Sequence, residues 1–126
     1  MGYINYNKNP CQKRTIDCSV RALSTLLDRP WDDVYLELCL LGYTICDMPS
    51  SKATINEYLS SLGYKRGVIP DSCPNCYTIR EFTQDNPHGR YLLATDTHVI
   101  PVIDGDYIDT WDSGNEIPLF FWEKRR

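Results

Sequence analysis

The chain offers six thiols as nucleophiles and two imidazoles, His88 and His98, as bases near neutral pH. Thiol chemistry needs a thiolate, a base to make it, a group to orient that base, and donors for an oxyanion. Cys18 is placed best for the first role. It follows Asp17, a good N-cap residue, so it falls in the first turn of a helix. Unsatisfied backbone N–H groups and the helix dipole there favour an anion and lower a thiol pKa. Asp17, whose charge is adjacent, is expected to cap. The simplest alternative for Cys18 is a small buried hydrophobe. His88 lies in the turn Asn86-Pro87-His88-Gly89 and reads as an exposed loop residue, whereas His98 opens the strand-like Thr97-His98-Val99-Ile100.

The third member follows from strand register. Asp104-Gly105 is a strong hairpin signal between residues 98–103 and 107–111. With a two-residue turn, His98 faces Trp111, and Asp109 shares its side of the sheet on the diagonal. A three-residue loop would move the register by one and bring in Asp112 instead. The shorter turn favours Asp109, and either acid could equally be a solvated strand-end carboxylate.

These residues resemble the papain-like cysteine peptidases. In that family the nucleophile opens the central helix, the histidine starts a strand of the C-terminal β part, and the orienting residue follows within Asn-Ser-Trp. Here Asp109-Thr110-Trp111 stands in that place, with Trp111 matching the tryptophan that shields the pair. The family sets its oxyanion-hole glutamine six positions before the cysteine, and Gln12 lies six before Cys18. The run Asp17-Cys18-Ser19-Val20-Arg21-Ala22-Leu23 is also similar to the bacteriocin-leader (double-glycine) peptidases, which use Asp-Cys-Gly and a Cys-His-Asp triad. Small bacterial and phage proteins of that type carry a similar Asp-Cys-x-x-Arg-Ala-Leu segment and a later His-Val-x-x-Val-x-Asp-Gly segment. The resemblance covers about a quarter of the chain. Two departures stand out: Ser19 replaces the glycine common after the nucleophile, and the interval from His98 to Asp109 is short. Cell-wall peptidases whose motif also begins Asp-Cys-Ser place their histidine nearer the cysteine.

The resemblance implies a cysteine peptidase, or a related thiol acyl-transfer hydrolase, acting on a peptide, isopeptide or amide bond. Its site would be Cys18, His98, Asp109 and Gln12, with a peptide or protein substrate and no cofactor or metal. It also implies a bacterial or phage origin. A transglutaminase or deamidase would use the same three residues on glutamine side chains. A different class of protein, a binding module without turnover, could keep the same fold.

Elements must bring these residues together. Helices are predicted over 18–27, from Pro30 to a stop at Gly42, and from Ser51 to a stop at Gly63. The second turns Trp31, Val34, Tyr35, Leu38 and Leu41 to one side, and the third turns Ile55, Tyr58, Leu59 and Leu62 inward. Thr78 and Glu81 have capping-box spacing for a short helix. Residues 1–16 read as an extended or looped entry. Residues 90–95, 98–103 and 107–111 read as strands, and Leu119-Phe120-Phe121-Trp122 as a final strand or core plug. Helices first and strands second is an α+β order, here expected as one papain-like domain over 1–126.

Composition limits the alternatives. The chain has 126 residues, 42% hydrophobic and 24% charged, with a net charge of −4, which argues against a nucleic-acid platform or attraction to an anionic membrane. No apolar stretch approaches a membrane span, and the N-terminus lacks a signal-peptide pattern. The six cysteines therefore read as reduced thiols in a cytoplasmic setting, with three disulfides as the formal alternative. Cys73-Pro74-Asn75-Cys76 has the spacing of half a zinc site but lacks a second close pair. Asp104, Asp106, Asp109 and Asp112 do not have EF-hand spacing. Cys11 is either a second thiol near the cleft or a loop residue.

Overall fold

In the computed structural model, which describes residues 2–70 and 76–124, four helices pack with a six-stranded sheet, an α+β arrangement. The elements are β1 (Gly2–Asn5), α1 (Cys18–Leu27), α2 (Trp31–Thr44), α3 (Lys52–Ser61), β2 (Tyr64–Val68), α4 (Ile79–Asp85), β3 (Arg90–Ala94), β4 (Val99–Ile103), β5 (Asp106–Asp109) and β6 (Phe120–Lys124). The sheet runs β1-β5-β4-β3-β6-β2, antiparallel throughout except where β1 lies parallel to β5.

Alternation along the strands sends apolar side chains to both faces. Leu92 and Ala94 of β3 join Val20, Leu23 and Leu26 of α1, Val34 and Leu38 of α2, Ile55 and Leu59 of α3, and Trp122 of β6 in one core. Leu93, Ile100, Val102 and Tyr107 look the other way and meet Ile79 and Phe82 of α4. The sheet is thus covered by α1, α2 and α3 on one face and by α4 on the other. Trp122 is fully buried, and its indole N–H donates to Asn56 Oδ1 at 2.9 Å.

The hairpin sets the register of the strands beside His98. Asp104 and Gly105 both have positive φ, 48° and 83°, as a two-residue turn of this hand requires. Val102 faces Tyr107 and Ile103 faces Asp106, the pairing that a two-residue turn dictates. β1 adds itself to β5 with Asn5 opposite Asp109.

Several sequence expectations need correction. Gly42 does not stop α2, which continues to Thr44. Its role is close approach: a Cβ there would lie 2.8 Å from the Asp47 carbonyl oxygen. Tyr35 and Leu62, expected inward, are 45% and 39% exposed. The entry segment contains an edge strand, β1. Lys65 and Arg66 are exposed in the other edge strand, β2, where cations discourage edge-to-edge association. Cys11, Cys18, Cys39 and Cys46 are free thiols, but Cys76 is disulfide-bonded, so the reading of every cysteine as a free thiol does not hold for it. Cys73, which stands at two-residue spacing from it in the sequence, lies outside the described residues. Among the described residues no helix is long and apolar enough to cross a membrane.

Candidate active site

Cys18 is the first residue of α1, and Asp17 stands at the N-cap position without capping. Stronger partners take its carboxylate. Arg21 Nε, one turn on, donates to Oδ1 at 2.7 Å, while Asn9 Nδ2 and Trp31 Nε1 each donate to Oδ2 at 3.1 Å. The Arg21 bond, with both partners charged, is the shortest of the three, and together they occupy both carboxylate oxygens. As a result, no side chain caps the N-terminal N–H groups of α1 beside Cys18.

His98 is held by the turn that joins β3 to β4. Its backbone N–H donates to Thr95 Oγ1 at 3.1 Å, and its carbonyl accepts from the Thr95 N–H at 2.8 Å. The imidazole is largely buried. Its Nε2 lies 2.6 Å from Oδ2 of Asp109, the last residue of β5. Its side chain also shares two clefts with the Cys18 thiol, and each group shifts the other's pKa toward the charged form. With Nε2 committed to Asp109, Nδ1 is the nitrogen left for sulfur. Trp111 stacks on the ring, with centroids 5.5 Å apart and planes inclined by 27°.

Asp109 is buried and fully engaged. Oδ2 also accepts from Ser113 Oγ at 3.0 Å, and Oδ1 accepts from the Thr110 N–H at 2.8 Å and from Arg21 at 3.4 Å. Arg21 therefore spans the carboxylates of Asp17 and Asp109, tying the start of α1 to the end of β5. Asp112 points elsewhere, accepting from the Tyr107 hydroxyl at 2.6 Å and lying 3.6 Å from Arg80.

The electrostatics follow from these contacts. Burial pushes the Cys18 thiol up, but hydrogen bonds from His98 and the Val99 backbone, and the charges of His98 and Arg21, outweigh it and leave the thiol below its ordinary value. Burial pulls His98 down, yet Asp109 and Cys18 push it up to about 9. Burial likewise raises Asp109, and the hydrogen bond and charge of His98, aided by Thr110 and Ser113, bring it below the ordinary carboxylate range. Each shift favours a thiolate–imidazolium pair at neutral pH.

Of the four residues singled out in sequence, three converge and Gln12 does not. Gln12 has φ 52°, and its amide nitrogen donates at 2.9 Å to both the Asn7 and the Asn9 carbonyl oxygens. Both N–H bonds are thereby used to close the entry loop, and the oxyanion role that the resemblance implies for Gln12 has no free donor behind it. Sequence reasoning also missed residues. Arg21 could have been found from its four-residue spacing to Asp17 on one helix. Thr95 and Ser113 are only three and four residues from His98 and Asp109, but they lie in loops, where such spacing implies no contact as it does on a helix.

Two clefts bring Cys18 and His98 to a common surface. One is walled by Lys13, Arg14, Ile16, Arg21, Thr97 and Trp111, the other by Ser50, Lys52, Ile55 and Asp96, and both include Cys18 and His98. Among the described residues, no group of three His, Cys, Asp or Glu side chains could hold a metal ion. Comparison with protein-family models, with curated proteins and with solved structures found no match to this chain.

Proposed function

We propose that this chain is a cysteine peptidase, or a related thiol acyl-transfer hydrolase, acting on a peptide, isopeptide or amide bond. One observation carries the reading: the His98 imidazole is hydrogen-bonded to the buried Asp109 carboxylate and lines the same two clefts as the Cys18 thiol, which it draws below its ordinary value. The order Cys–His–Asp, with the thiol opening a helix, the imidazole just before β4 and the carboxylate at the end of β5, supports the likeness to papain-like peptidases.

In this mechanism the Cys18 thiolate attacks the carbonyl carbon, forming the C–S bond. The His98 imidazolium then gives its proton to the departing nitrogen as the C–N bond breaks. Water, activated by neutral His98, attacks the thioester. The C–S bond breaks, the carboxylic acid leaves, and the thiolate–imidazolium pair returns. Asp109 orients the ring and stabilises its cation. The oxyanion takes the uncapped N–H groups of α1, each such donor being worth about 3 kcal/mol of transition-state stabilisation.

The test is intact-mass and site mapping after a thiol-directed electrophile is applied near neutral pH. Cys18 is expected to label well ahead of the free thiols Cys11, Cys39 and Cys46. Equal labelling of all four removes the reading. Release of ammonia from a glutamine donor, without chain cleavage, would assign the deamidase or transglutaminase branch of the same chemistry.

A second reading, a binding module that kept the fold and lost turnover, is favoured by the engagement of the Gln12 amide with Asn7 and Asn9. It requires absent hydrolysis together with partner capture that survives Cys18→Ala.

A further inference from the structure

The two clefts beside the sulfur differ in charge. Lys13, Arg14 and Arg21 stand in the wall of one, and no Asp or Glu lines it, although the chain as a whole is acidic. Arg21 is neutralised by Asp17 and Asp109. Among the described residues, Lys13 and Arg14 make no ion pair, and both are exposed. In the other cleft, apart from the His98 common to both, Lys52 is accompanied by Asp96, and its ammonium donates to the Asp96 carbonyl at 2.9 Å. The basic cleft also carries two apolar surfaces in water, Ile16 at 98% and Trp111 at 46% exposure. Unpaired cations in a concave wall focus potential and concentrate anions there. Exposed apolar side chains at its rim gain by contact with an apolar group.

We infer that this cleft receives a peptide segment carrying a carboxylate beside an apolar residue, with the carboxylate on Lys13 and Arg14 and the apolar group between Ile16 and Trp111. The inference rests on the thiol-hydrolase reading for its catalytic meaning, but the charge selection can be measured apart from turnover. The carboxylate has two sources, an acidic side chain or a chain terminus.

The experiment compares alkylation by iodoacetate, an anion, with alkylation by neutral iodoacetamide, followed residue by residue. Cys11 and Cys46, both exposed free thiols, serve as controls within the same molecule. At low salt the iodoacetate-to-iodoacetamide rate ratio at Cys18 is expected to exceed that of the controls by about ten-fold, within the range of electrostatic focusing. It should fall as salt shortens the screening length from roughly 30 Å to roughly 8 Å. The imidazolium of His98 also attracts the anion, so the deciding variants are Lys13→Gln with Arg14→Gln, and Lys13→Arg with Arg14→Lys. Collapse of the excess in the first pair and its retention in the second supports the inference. An unchanged ratio in the first pair, or loss in both, overturns it. Protection of Cys18 by an amidated Glu-containing peptide, measured against its Gln counterpart with an amidated or a free terminus, then separates the two carboxylate sources. Protection by none of the three also overturns it. If iodoacetamide modifies Cys18 no faster than the controls, the hydrolase reading fails, while a Lys13- and Arg14-dependent preference for iodoacetate would still stand.

Discussion

At Cys18 desolvation and charge oppose one another, and charge wins. The thiol lies below its ordinary value while His98 is raised to about 9, so the ion pair occupies the interval between the two. Alkylation of Cys18 should therefore persist at pH values where an ordinary thiol, with a pKa of about 8.5, is protonated. His98→Ala is expected to move the inflection upward, as burial then acts with less opposition, and to reduce turnover by roughly 10²–10⁴-fold. Asp109→Asn removes the charge that raises His98, so the alkaline limit of the ion pair should fall below about 9 in the pH profile of turnover. Arg21 works through its neighbours. Arg21→Ala leaves the buried carboxylates of Asp17 and Asp109 with one cationic partner fewer. It is expected to destabilise the fold by about 3 kcal/mol in urea unfolding.

Among the elements, α2 shows how packing reverses a propensity. Val34, Leu38 and Gly42 form its buried line, and the third position admits the backbone of residues 47–49. Alanine at position 42 would gain about 1 kcal/mol of helix propensity. Its methyl group would also meet the Asp47 carbonyl oxygen at 2.8 Å, an overpacking worth about 1–3 kcal/mol in the other direction. Gly42→Ala is therefore expected to lower the melting temperature, by roughly 4 °C per kcal/mol of net loss. The hairpin between β4 and β5 matters differently. Two positive-φ residues set a register that places Asp109 beside His98 and turns Asp112 toward Tyr107 and Arg80.

Across the whole molecule, the sheet is the frame on which the site is assembled, because α1 docks against β3 and β4 through the core that contains Trp122. Trp122 joins the helical layer to the sheet by packing and through its bond to Asn56. Trp122→Ala is expected to cost roughly 3–5 kcal/mol, a large share of the roughly 5–15 kcal/mol that holds a domain of this size together. Urea unfolding would show it as a lowered midpoint, with Cys18 falling to the alkylation rate of Cys11 as the two layers separate.

Much of this arrangement is local and hence legible in the sequence. The start of α1 at Cys18, the Thr78–Glu81 capping box and the Asp104-Gly105 turn depend on residues a few positions apart, and turn length alone selects Asp109 over Asp112. What the tertiary structure decided are the closure of loops and the contacts between distant segments. Gln12 sits at a suggestive spacing from Cys18, yet its amide closes on Asn7 and Asn9, because loop carbonyls need donors and these are the nearest. Asp17 gives up capping because Asn9, Arg21 and Trp31 converge on it. β1 and β2 are polar or short enough to read as loops, and they become strands only when β5 and β6 supply partners for their backbone. The types and order of the reactive residues belong to the sequence. Their protonation states, and which cleft carries the charge, come from burial and neighbours that only folding provides.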